Sequence, residues 1–247
     1  MGAVFMREWR PIEVLVLDSG AENSTRQTGV ADSGDFERFT ALAAELAAIG
    51  RKFYERGWVF GTSGNFSAAI SHEPMRLAIT STGLDKGALD ASSFIEMDEN
   101  AHVVRGSGKP SAEALLHVAI VRELGAGAVL HTHSVWSTVL SGAHAARGGV
   151  EIHGYEMLKG LEGVRTHEHR EWLPILKNSQ DMAELSGFVA KLLRENRGVH
   201  GFLLREHGLY TWGATLQEAK RHVEILEFLM EVVVRASAIQ PRAETGG

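Results

Sequence analysis

Two histidines separated by one residue stand in Val129-Leu130-His131-Thr132-His133-Ser134. On a strand, residues two apart point to the same face, so these imidazoles would project side by side. Neutral imidazole nitrogens bind zinc and similar divalent ions, and a catalytic ion takes three protein ligands and keeps a position open. The plainer account of the pair is two hydrogen-bonded histidines at a strand end. His207, in Leu203-Leu204-Arg205-Glu206-His207-Gly208, also follows an apolar run, and Gly208 permits close approach of another group. Spacing alone does not place His207 beside the pair. The chain has 12 histidines, and His72, His102, His144, His200 and His222 are scattered without pattern. His167 and His169 form a second pair, but the polarity of Thr166–Glu171 makes a solvated, loop-side role the expectation there.

Two small-residue loops could receive a phosphate. One is Gly61-Thr62-Ser63-Gly64-Asn65, with Ser63, Gly64 and Asn65 as the candidate contacts. The other is Thr80-Ser81-Thr82-Gly83, with Ser81, Thr82 and Gly83 as candidates and Lys86 close behind. Backbone N–H groups and hydroxyls suit a dianion, and a lysine adds charge. Ordinary turn chemistry explains either loop taken alone. Two of them beside a metal-ligand pattern favour a phosphorylated substrate. Two carboxylates are candidates for acid–base work. Glu113, in Lys109-Pro110-Ser111-Ala112-Glu113, reads as a first-turn helix residue stabilised by the helix dipole. Glu156, in Tyr155-Glu156-Met157-Leu158-Lys159-Gly160, reads as a surface carboxylate paired with Lys159. Spacing does not choose between them.

The elements that carry these residues alternate between helix and strand. Phe36, Phe39, Leu42, Leu46, Ile49 and Phe53 recur at helical spacing, with Gly57 as the stop. Arg76–Ser81 and Ala128–His133 read as buried strands, and Pro110-Ser111 as a helix start. Ser179 is the expected cap of a helix carrying Leu185, Phe188, Val189 and Leu192. Thr215-Leu216-Gln217-Glu218 is a capping box opening a long helix. The pattern predicts one α/β domain over 35–238. It is preceded by a polar, flexible extension over 1–34 and followed by a loose tail over 239–247.

Composition sets limits on function. Apolar residues make up 44% and charged residues 23%, as in globular domains. A net charge of −6 without a long basic run argues against a nucleic-acid partner. There is no cysteine, so any metal site must use His, Asp, Glu or water. No apolar run reaches membrane-spanning length, and no basic start precedes an apolar block. A cytoplasmic location is the expectation.

Taken together, Gly61–Asn65, Ser81–Gly83, Lys109–Glu113, His131-Thr132-His133 and Arg205–Gly208 resemble the class II aldolase/adducin family in order and spacing. The resemblance covers roughly 35–236. Tyr155–Gly160, Leu173–Asp181 and His207–Gly213 are similar to a dehydratase branch of that family. The resemblance implies an αβα sandwich with a central, mainly antiparallel sheet. It implies one zinc ion per subunit on His131, His133 and His207, and a homotetramer with sites near subunit interfaces. It makes Glu156 the catalytic acid/base and matches Glu113 to the base of the sugar-phosphate aldolases. The implied reaction is loss of water from a phosphorylated ketose, 5-methylthioribulose 1-phosphate. The competing expectations are a sugar-phosphate aldolase or epimerase, and a non-catalytic adducin-like module.

Overall fold

A computed structural model describes residues 33–239. Most of the expected extension and tail lies outside these residues. Ser33 and Gly34, expected in the extension, instead open the first helix, and Ile239, expected in the tail, closes the last.

In chain order the elements are α1 (Ser33–Glu55), β1 (Asn65–His72), β2 (Met75–Thr80), β3 (Phe94–Asp98), β4 (Val103–Arg105), α2 (Ala114–Leu124) and β5 (Ala128–Thr132). They continue with α3 (Val135–Ala143), β6 (Gly149–His153), β7 (Arg170–Leu176), α4 (Met182–Glu195), β8 (Gly201–Leu204), β9 (Gly208–Gly213) and α5 (Leu216–Ile239). The strands form one 9-stranded sheet in the order β4-β3-β2-β1-β5-β9-β8-β7-β6. Each neighbouring pair is antiparallel except β7 with β8, as the resemblance implied.

Strand alternation divides the core into layers. Ala128 and Leu130 of β5 face α1 and the start of α5, among Leu46, Phe53, Leu216 and Val223. Val129 faces the other way, toward α2 and α4, among Leu116, Ile120, Leu185 and Val189. Beyond β9, α3 and the second half of α5 close a third cluster through Leu140, Leu226 and Leu229. The result is helix on sheet on helix, with β5 near the middle.

Some local expectations move. The helix after Pro110 begins only at Ala114, because Pro110 pairs with Ser81 in a β-bridge. The fourth helix is capped by Asp181, which accepts from the Glu184 N–H, while Ser179 accepts from the Asp181 N–H one turn earlier. Half of the expected capping box forms: Thr215 Oγ1 accepts from the Glu218 N–H at 3.2 Å, while Glu218 Oε1 accepts from the Ala214 N–H at 3.3 Å in place of the Thr215 N–H.

Candidate metal centre and phosphate pocket

β5 ends at the middle of the sheet, and its alternation sends His131 to the same side as Val129. Its neighbour across the ladder is Tyr210, and the two rings stack at 3.9 Å with 13° between planes. Phe202 stacks on the other face of Tyr210 at 5.1 Å. His131 is fully buried and donates from Nδ1 to the Leu209 carbonyl at 2.9 Å, which leaves its Nε2 as a lone pair. His133 lies one step past the strand, its N–H tied to the Trp58 carbonyl.

His207 arrives from a three-residue hairpin loop between β8 and β9. Glu206 holds the left-handed conformation there with φ 54°, and its N–H is fixed by Ser141 Oγ of α3. Gly208 follows because a Cβ would sit 2.0 Å from the Thr132 carbonyl oxygen.

These placements bring three Nε2 atoms together. His131 to His133 is 2.7 Å, His133 to His207 is 3.1 Å and His131 to His207 is 3.4 Å. Three ligands about 2.1 Å from one tetrahedral ion stand roughly 3.4 Å apart. Burial, followed by the neighbouring imidazoles, holds His131 well below the usual histidine range. The same causes push His133 down to about 2. His131 and His133 are therefore neutral, as ligands must be. The donor set and its convergence fit a divalent ion.

Glu113 completes the group. Its oxygens lie 3.5 Å from His131 Nε2 and 3.3 Å from His207 Nε2. It occupies the cap position of α2, but its side chain caps nothing. A buried relay orients it instead. Ser67 Oγ lies 2.7 Å from His117 Nδ1, His117 Nε2 lies 2.5 Å from Asn65 Oδ1, and Asn65 Nδ2 donates to Glu113 Oε2 at 2.6 Å. Burial lowers His117 to about 4. A neutral ring that donates from Nε2 and accepts at Nδ1 from Ser67 satisfies every member.

The two small-residue loops meet Glu113 and His133 around one cavity of about 130 Å³, lined also by Ser111 and Lys86. Its chemistry is narrower than the loops suggested. The Ser63 N–H and Oγ both go to the Phe60 carbonyl, the Ser81 N–H to Ser93 and the Thr82 N–H to Lys109. Asn65 spends its amide on Ser111, Glu113 and His117. Lys86 is buried, with Nζ donating to the carbonyls of Thr62 and Leu84. Burial lowers it to about 8, against the opposing pull of Asp85.

Glu156 is placed differently. It opens a short 3-10 turn, its side chain is 72% exposed, and it accepts from Lys159 Nζ at 2.6 Å. No contact joins it to the three histidines among the described residues. Three groups that spacing did not single out belong to the centre: Tyr210, His117 and Ser67. A faint signal existed for Tyr210, an aromatic two residues past Gly208 on a strand of apolar residues.

The sheet order and an imidazole–carboxylate centre at its middle define a metal-binding α/β enzyme fold. A family model, Class II Aldolase and Adducin N-terminal domain, matches residues 44–234, and the chain belongs to that family. The chain is 42% identical over 197 residues to a methylthioribulose-1-phosphate dehydratase of Hahella chejuensis, covering 79% of this chain and 94% of that one. It is 41% identical over 210 residues to the enzyme of the same name from Pectobacterium atrosepticum, covering 84% and 98%. Among solved structures, YgbL from Escherichia coli, a putative aldolase/epimerase/decarboxylase, superposes with a TM-score of 0.67 at 26% identity, covering 83% and 93%. An L-fuculose 1-phosphate aldolase gives 0.68 at 24%, covering 81% and 88%, which bears on the fold alone.

Proposed function

We propose that this chain is a hydro-lyase that converts 5-methylthioribulose 1-phosphate to 5-methylthio-2,3-diketopentyl 1-phosphate, a step of methionine salvage. The observation that carries the reading is identity near 40% across almost the whole length of several dehydratases of that name. An intact ligand set facing a polar cavity supports it.

His131, His133 and His207 hold the metal, proposed to be zinc, through their Nε2 atoms, with Glu113 beside them. When bound there, the ion would supply Lewis-acid stabilisation of negative charge developing on the substrate's carbonyl oxygen. Lys86, the Thr82 hydroxyl and the loop around Gly83 hold the phosphate. That group is remote from the reacting carbons, so its binding energy positions them. Glu156 takes the proton from the carbon beside the ketone. The hydroxyl on the next carbon leaves with a proton as water, and the resulting enol relaxes to the diketone. The working form is a homotetramer in the cytoplasm with sites near subunit interfaces, where an exposed Glu156 reaches substrate.

The contact of Glu113 with the imidazoles is the feature a sugar-phosphate aldolase would share. Mass analysis of products separates the readings. Methylthioribulose 1-phosphate should lose the mass of one water. Cleavage of fuculose 1-phosphate, with methylthioribulose 1-phosphate untouched, would replace the dehydratase by an aldolase.

A further inference from the structure

A second group of ligand-type side chains lies elsewhere on the sheet. His169 just precedes β7, Glu171 lies within it, and His200 just precedes β8. β7 and β8 run parallel, so their first residues come to the same end of the sheet. His207 follows β8 and His200 precedes it, so this group and the first centre lie at opposite ends of that strand.

Glu171 is fully buried at 1% exposure, and Oε2 receives two imidazoles. His169 Nε2 and His200 Nδ1 each stand 2.9 Å from it. The other oxygen, Oε1, accepts from the His200 N–H at 3.0 Å, which fixes the plane of the carboxylate. His200 Nε2 faces the Glu162 carbonyl oxygen at 2.9 Å. A carbonyl only accepts, so Nε2 carries the hydrogen, and a neutral ring then turns the lone pair of Nδ1 toward Glu171 Oε2. Two acceptors do not face each other at this distance without something between them. Against the opposing effect of burial, the hydrogen bond and charge of Glu171 raise His200 above the usual histidine range, so a proton occupies the position in the ion-free protein and a divalent cation would replace it. A ring nitrogen donated to a backbone carbonyl, with the other nitrogen aimed at a convergence of donors, is the usual support of a metal-bound histidine. His131 is oriented in the same way by the Leu209 carbonyl. The backing continues outward: the Glu162 N–H donates to His222 Nε2 at 3.1 Å, and His222 Nδ1 donates to the Trp212 carbonyl at 2.7 Å.

We propose that His169 Nε2, Glu171 Oε2 and His200 Nδ1 form a second divalent-cation site, for an ion of the zinc class. The three ligand atoms lie within 4.8 Å of one another. His169, whose side chain is 32% exposed, gives the ion access and leaves its remaining positions to water. Two imidazoles and one carboxylate suit zinc, cobalt or nickel better than calcium or magnesium. The ion ties the starts of β7 and β8 together.

The test is metal content of the full-length protein after equilibration with zinc and removal of loosely bound ion. Wild type should hold about two ions per chain if both sites follow the usual ligand counts. His169→Ala changes a partly exposed side chain, leaves Glu171 in place, and should hold about one. His207→Ala should also hold about one, and the double variant almost none. A single ion in wild type that His169→Ala keeps would overturn the second site. So would two ions that both survive in His169→Ala. A single ion lost in His169→Ala but kept in His207→Ala would sustain the second site and remove the first.

Discussion

Glu113 and Glu156 are two carboxylates of one chain in opposite settings. Glu113 sits in the pocket, its side chain 12% exposed, tied to Asn65 and facing two imidazoles. Glu156 stands at 72% exposure, and Lys159 and His167 hold its carboxyl below the usual range. The first is fixed through buried partners and has little freedom. The second is bound only by a neighbouring lysine, a pairing worth little in water. A carboxylate locked against ligands is suited to hold an ion. One on an exposed turn can move to a substrate and exchange protons. Under the proposed function, contact with the centre and transfer of protons fall to different carboxylates, and this division is open to attack.

The largest effect should come from removing a ligand. His207→Ala should lose the ion of the first centre and turnover together, read as metal content and product formation; full activity with full metal would end the three-ligand assignment. Next, Glu156→Gln should lower turnover by about a hundredfold or more, the scale of a lost acid–base group, at unchanged metal content. Glu113→Gln should act on the other quantity. Metal affinity should weaken by roughly ten- to a hundredfold, with turnover largely recovered when zinc is saturating. If Glu113→Gln abolished turnover at saturating zinc while Glu156→Gln stayed near wild type, the duties would be reversed. The smallest effect concerns pH. Lys86 is a cation below about 8 and neutral above it, while a phosphate monoester is a dianion above about 6. Their attraction is present between those limits and is lost as pH rises through the upper one. kcat/KM should therefore decline on the alkaline side, and Lys86→Gln should flatten that limb; an unchanged limb would take Lys86 out of phosphate binding.

What could be read before folding depended on range. His131 and His133 were legible because strand alternation fixes their common face, and the Thr215 half of the capping box because capping is local. The helix start near Pro110 and the cap at Ser179 were each a few residues early. The Ser81–Pro110 bridge and the chemistry of Asp181 decided them. The relay from Ser67 through His117 to Asn65 joins residues 48 to 52 positions apart and leaves no periodic mark. The same holds for His200 beside Glu171. The polar segment around His169 suggested solvent, yet alternation on β7 turned Glu171 inward to 1% exposure. The family resemblance added the assignment of Glu156, which contacts within one chain do not supply.

The ring stack Phe202–Tyr210–His131 has a consequence for how an ion would come and go. His131 is clamped on its face by Tyr210 and at its Nδ1 by Leu209, so it cannot swing away. His207 rides on a short hairpin turn, and its Nδ1 has no hydrogen-bond partner among the described residues. If these three rings hold the ion as proposed, they should differ in lability: His207 is expected to unhook first, with His131 as the last anchor. Loosening the hairpin by Ser141→Ala, which removes the hydroxyl that accepts from the Glu206 N–H, should speed capture of the ion by a chelator, whereas Phe202→Leu, at the far end of the stack, should leave the first step of release unchanged.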